Sequence, residues 1–156
     1  MKCDRHELEV AEDIVLVFVN RLEPPIVRLT EILIESPEAP KAIGPYSQAI
    51  KNGGLVFASG SPPFDPAGKI DYSLLDVTAQ TRRVLDNIAL TLGAGKLTLA
   101  DVVSATVYVT DVNDFAAVNA VYASYFKAPY PARTFVQVAK LLHNVKVEIT
   151  VIAAAK

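Results

Sequence analysis

The chain has 156 residues, 51% hydrophobic and 21% charged, which suits a single globular domain with a real core and excludes wholesale disorder. Its formal net charge is −2, from 15 basic and 17 acidic residues, with no Lys or Arg run. That balance excludes a long-range field that would draw in nucleic acid, and it argues against an RNA or DNA partner.

Cys3 is the only cysteine, so neither an intrachain disulfide nor a cysteine-rich metal site can form. His6 and His143 are far apart and lack ligand spacing, which argues against a metalloenzyme. A mean hydropathy of +0.30 points to apolar surface covered by partner subunits, with a dense core as the alternative.

Residues 1–25 read as an extension of unknown role ahead of a domain over 26–156, divided at Pro24-Pro25, a pair that fits neither a helix interior nor a central strand. Within the extension, the apolar run Ile14–Val19 is too short to span a membrane. It follows Glu7, Glu9, Glu12 and Asp13, which suits neither a secretory signal nor a transit peptide. A cytosolic protein is therefore expected; a mitochondrial location stays open, but no convincing transit peptide supports it.

A first strand is predicted over Val27–Ile34, ended by Ser36-Pro37, and a second around Ala49-Ile50. Asn52-Gly53-Gly54 is a hairpin signal before the apolar strand Leu55–Ser59. Over 76–92, Val77, Thr81, Val84, Leu85, Ile88 and Leu92 recur at three- and four-residue spacing, a helical stripe that Gly93 is placed to end. Residues 101–110 alternate with period two, Val103, Ala105, Val107 and Val109 against Ser104, Thr106, Tyr108 and Thr110. Asn113 is placed to cap a second helix with Phe115, Val118, Tyr122, Tyr125 and Phe126 along one side. Strands over Arg133–Ala139 and Val145–Ala153 close the chain. The order β-β-β-α-β-α-β-β predicts an α+β fold, a mixed sheet with two helices on one side. The uncovered side carries mixed residues that favour a partner subunit.

Arg133 begins a strand directly after Tyr130-Pro131-Ala132, a rigid approach that aims its side chain. A guanidinium forks onto a carboxylate with two parallel hydrogen bonds, so a fixed Arg suits a small acid. The other reading is a surface Arg paired with a nearby acid. Glu148 stands alone among Val147, Ile149 and Val151, where partial desolvation would raise its pKa and suit proton transfer. A solvated outward position fits the same alternation. Tyr46, in Gly44-Pro45-Tyr46-Ser47, can cover a ligand or pack under its loop. In Ser59-Gly60-Ser61, Gly60 either lets backbone N–H groups approach a ligand or serves a bulge or turn. His143, in the turn Leu141–Asn144, reads as a solvated loop residue.

The segments Ala39–Ala49, Phe57-Ala58-Ser59-Gly60, Asp111-Val112-Asn113-Asp114-Phe115 and Pro131-Ala132-Arg133-Thr134 together resemble the RidA/YjgF family, also called reactive-intermediate deaminases or endoribonuclease L-PSP proteins. The resemblance runs co-linearly from about Leu29 to the C-terminus. It implies a chorismate-mutase-like fold and a homotrimer with its sheets packed into a central barrel and its sites between subunits. It also implies hydrolysis of 2-imino or 2-enamino acids shed by pyridoxal-phosphate dehydratases, giving 2-keto acids and ammonia without cofactor or metal.

By motif position, the family's carboxylate-binding Arg falls on Arg133, its catalytic Glu on Glu148 and its site Tyr on Tyr46. Its strand-end Ser-Gly falls on Ser59 and Gly60, and its second-helix Asn on Asn119. Three positions depart from the pattern. Ser61 replaces the usual Gln, Leu142 the usual Pro, and Phe135 fills a site-lining position that is usually small or Cys. An RNA-directed endoribonuclease or translation inhibitor is the second reading, and a non-catalytic ligand-binding or chaperone-like trimer the third. Net acidity and the lack of a basic, aromatic stripe stand against the second.

Overall fold

The computed structural model describes residues 31–67, 69 and 76–155. Six strands form one sheet: β1 (Ile32–Ile34), β2 (Ala49–Asn52), β3 (Leu55–Ala58), β4 (Val102–Val109), β5 (Ala132–Gln137) and β6 (Val147–Ala154). Helix α1 (Val77–Ala94) joins β3 to β4, and α2 (Phe115–Tyr125) joins β4 to β5. No helix among the described residues is long and apolar enough to cross a membrane.

The strands lie in the order β1-β2-β3-β6-β4-β5. β6 is antiparallel to both β3 and β4, while β4 and β5 pair in parallel across the α2 crossover. The first hairpin turns at Gly53 and Gly54, both with positive φ, a two-residue turn that matches strand twist and that glycine adopts without strain. Of the predicted first strand, Ile32–Ile34 is paired, and residues 27–30 lie outside the described set with the 1–25 extension.

Alternation in β6 decides which face meets the helices. Val147, Ile149, Val151 and Ala153 are buried, as are Ala105, Val107 and Val109 of β4. Leu85, Ile88 and Leu92 of α1 and Val118, Val121 and Tyr122 of α2 join them in one core. Each fully buried Leu or Ile stabilises the fold by about 1.5–3 kcal/mol. Two buried amides tie α1 to segments outside the strands: Gln80 Oε1 accepts from the backbone N–H of Lys146, just before β6, and Asn87 donates to the carbonyls of Pro62 and Phe64 in the loop after β3.

Local structure differs from the sequence expectation in several places. Val103, expected to share a face with Ala105, Val107 and Val109, is 47% exposed, because a register shift between Val102 and Ser104 breaks the alternation. α1 runs through Gly93, and Gly95 ends it with its N–H returning to the carbonyls of Leu92 and Gly93. Asp76 caps the start by accepting from Ala79 N–H. Asn113 does not cap α2: a 3₁₀ turn over Val112–Asp114 precedes the helix, and Asp111 accepts from the Asn113 N–H. Phe115, expected on the packed side of α2, is 44% exposed and turns to Phe135 on β5.

Candidate functional site

Strand pairing fixes where the chosen side chains go. In the parallel pair, Arg133 sits opposite Ala105 and Phe135 opposite Val107, so both share the helix-side face with buried β4 residues. In the antiparallel pair, Glu148 sits opposite Tyr108, on the face without helices. Arg133 and Glu148 therefore project from opposite faces of one sheet.

On the helix side, Arg133 lines a cleft of about 410 Å³ with Asn119, Tyr122, Ala123, Tyr130 and Pro131. Asn119 and Tyr122 stand three residues apart on α2, hence on one helix face. The guanidinium carbon lies 4.6 Å from the Tyr122 ring centroid, 5.9 Å from that of Phe115 and 6.0 Å from that of Phe135. Phe115 and Phe135 meet edge to face at 5.0 Å. Among the described residues Arg133 has no hydrogen bond or ion pair. The surface-pair reading of Arg133 therefore has no acid to rest on within the described chain.

On the other side, Glu148 packs against Gly60. A Cβ built on Gly60 would overlap the Glu148 carboxylate, standing 3.0 Å from its Cδ. Gly60 has an ordinary backbone conformation, so glycine is required here for side-chain space and not for φ. Burial pushes the Glu148 carboxyl pKa above the usual glutamate value. Among the described residues nothing hydrogen-bonds to it.

Gly60 lines a second, small cleft of about 40 Å³ with Tyr46, Gln48, Ser59, Ser61 and Phe64. Gln48 holds its wall: its amide accepts from Ser36 N–H and donates to the carbonyls of Ser36 and Pro40. Tyr46 is 46% exposed, and its hydroxyl accepts from Ile43 N–H at 3.2 Å, leaving its own proton to donate. Ser59 has both donors engaged, its N–H with Gln48 and its hydroxyl with Ser47, so towards a ligand it can only accept. His143 is exposed in its turn, ring edge to Phe64.

The seven chosen residues thus fall into two groups. Arg133, Asn119 and Phe135 lie together on the helix side; Glu148, Gly60, Ser59 and Tyr46 lie together elsewhere. Phe135 flanks Arg133 as a wall and packs on Phe115. Sequence reasoning assigned Tyr122 to the core stripe alone. Its place three residues after Asn119 was the available signal.

These features define an α+β domain of one six-stranded sheet and two helices, with a guanidinium that has no polar partner among the described residues in one cleft and a shielded carboxylate beside another. The model of the Endoribonuclease L-PSP family matches residues 36–155, and the chain belongs to that family. It is 44% identical over 126 residues, covering 79% of this chain and 97% of the relative, to the 2-iminobutanoate/2-iminopropanoate deaminase of Salmonella typhimurium. It is 48% identical over 122 residues, covering 78% and 95%, to a RutC family protein of Pyrococcus horikoshii. The crystal structure of E. coli TdcF with bound serine superposes with a TM-score of 0.74 at 43% identity, covering 80% of this chain and 99% of that one.

Proposed function

We propose that the chain is a deaminase of 2-imino and 2-enamino acids, hydrolysing them to 2-keto acids and ammonia, and that it works as a homotrimer with sites between subunits. The observation that carries this reading is the unpaired Arg133 guanidinium in a cleft walled by aromatic rings. Its N–H donors have no partner within the described chain, and a carboxylate matches their fork. The deaminase relative and the serine held by TdcF, itself a small carboxylate, support the same ligand class.

In the proposed reaction Arg133 clamps the carboxylate and fixes the C2 carbon. Glu148, ionised, takes a proton from a water whose oxygen bonds to C2. That proton passes to the imine nitrogen to give a carbinolamine; the hydroxyl proton then moves to nitrogen, the C2–N bond breaks as the C2=O bond forms, and ammonia leaves a 2-keto acid. Positioning and proton transfer suffice, because the imine is already labile.

The placement of Arg133 and Glu148 on opposite faces of one sheet supports a site that a second copy completes. The helix-free face supports such assembly: Leu33, Ile50, Phe57 and Ile152 pair in one row across four strands, with Leu33 54% and Phe57 44% exposed. Such a row is better buried against a partner than left in water.

The test generates imines in situ with a pyridoxal-phosphate dehydratase and measures 2-keto acid and ammonia release, with RNA cleavage assayed beside it. Faster release at equal dehydratase activity is expected. No acceleration, or RNA cleavage alone, overturns the reading in favour of the family's endoribonuclease description.

A further inference from the structure

A guanidinium meets a carboxylate with two parallel hydrogen bonds only if its plane is held, and the Arg side chain is long and freely rotating. Among the described residues no polar group holds Arg133. Its surroundings are aromatic instead, and Tyr122 is the nearest ring, 4.6 Å from centroid to guanidinium carbon. Tyr122 is itself held by packing: it sits on α2, is 3% exposed, and stacks on Phe126 at 4.3 Å and 27°.

We propose that Tyr122 is the positioning residue of the Arg133 clamp, a rigid platform whose ring face holds the guanidinium while its in-plane N–H edges stay free for ligand. The inference rests on the carboxylate-binding reading of Arg133. The ring acts and the hydroxyl does not, because the hydroxyl is buried without a hydrogen-bond partner among the described residues and has no surface from which to reach a ligand. Burial raises its pKa despite the opposing influence of Arg133, so it stays neutral. The attraction is that of a cation for the negative face of an aromatic ring, strengthened where water is excluded. Phe115 and Phe135, near 6 Å, are side walls.

Two variants separate ring from hydroxyl. Tyr122→Phe keeps the platform and removes only a group without a partner among the described residues, so KM should not rise and Tm should not fall. Tyr122→Leu removes the aromatic face; KM and the Kd for 2-ketobutyrate, a keto acid of the product class, should rise roughly five- to thirty-fold, with kcat changed less. NMR of the Arg133 side chain gives a readout independent of turnover. Distinct, slowly exchanging Nη signals are expected in wild type and Tyr122→Phe, and one averaged signal in Tyr122→Leu.

An averaged Nη signal in wild type overturns the inference even if Tyr122→Leu does not fold. So does a Tyr122→Leu variant with wild-type Kd, or a Tyr122→Phe variant as weak as Tyr122→Leu. If the expected Kd and NMR pattern appears while the wild type releases no ammonia, the platform stands and the deaminase reading falls. If the wild type fails to bind 2-ketobutyrate, the carboxylate clamp falls, and the NMR pattern alone decides the platform.

Discussion

The Glu148 carboxylate fills the volume that a side chain at Gly60 would take. The contact links the end of the third strand to the last strand, and it makes Gly60 a determinant of where the acid points. Gly60→Ala should fold with little loss of stability, because the atoms in the way are the far end of a flexible side chain. Turnover should fall roughly a hundred-fold as Glu148 swings aside, the lower end of what general acid–base groups contribute. Measured kcat within a factor of about two of wild type would separate Gly60 from the chemistry.

The raised Glu148 pKa sets two pH dependences. Activity needs the ionised form, so the acidic limb of kcat/KM should lie above the ordinary glutamate value of about 4.3. Stability runs the other way. The folded state favours the protonated acid, so the unfolded chain loses its proton first and the wild type loses stability as pH rises from the unfolded to the folded pKa. Glu148→Gln cannot ionise; it should lose roughly 10²–10⁴-fold in turnover, match wild-type stability in acid, and equal or exceed it at neutral pH. Paired urea titrations across pH check the stability, and a variant less stable at neutral pH alone would contradict the assignment of burial as the cause.

Arg133→Lys keeps the charge and loses the planar fork. A weakening of kcat/KM by ten- to a hundred-fold is expected, since hydrogen bonds to charged groups are worth about 1.5–3 kcal/mol. Tm should barely move, because no hydrogen bond or ion pair of Arg133 supports the fold among the described residues. Full activity in the Lys variant would remove the clamp; unfolding would make Arg133 structural.

The opposite-face placement of Arg133 and Glu148 allows a subunit-mixing test. Arg133→Lys and Glu148→Gln chains, each impaired alone, should recover about a quarter of wild-type activity when unfolded together and refolded at equal amounts, since a quarter of randomly paired sites carry both native residues. Recovery no greater than the sum of the separate variants would mean that both residues act from one chain.

Removing residues 1–25 should leave deaminase activity and oligomeric state unchanged, because the family match begins at residue 36. Sedimentation equilibrium of the shortened chain checks this. Dissociation or insolubility would assign the extension a role in the fold or the assembly.

Much of this protein was legible in its sequence because the signals are local. Asn52-Gly53-Gly54 announces a tight turn through the positive φ that its glycines adopt. The stripe from Val77 to Leu92 and the alternation from Ala105 to Val109 report which side chains must leave water together. Val103, expected on that same face, is instead exposed beyond a register shift between Val102 and Ser104 that no local spacing announces. The motifs around Tyr46, Ser59-Gly60 and Arg133 marked candidate residues, and Arg133 does line a cleft. Helix ends were less legible, because several neighbouring residues can cap equally well by propensity. Gly95 took the role expected of Gly93, while Asp111 caps the 3₁₀ turn ahead of α2 and no side chain caps α2 itself.

Only the tertiary structure decided how those residues relate. Alternation tells which residues of a strand share a face, but which face lies under the helices depends on register with a neighbour far away in the chain. Arg133 falls opposite Ala105 and Glu148 opposite Tyr108, and that difference of parity parts them. Gly60 looks like a turn residue until Glu148, 88 positions later by their numbering, is packed against it. Tyr122 reads as one more apolar position of α2 until β5 lays Arg133 across its ring. Each relation arises from long-range packing, in which strand pairing and core burial are satisfied together, and no local stretch of residues encodes it.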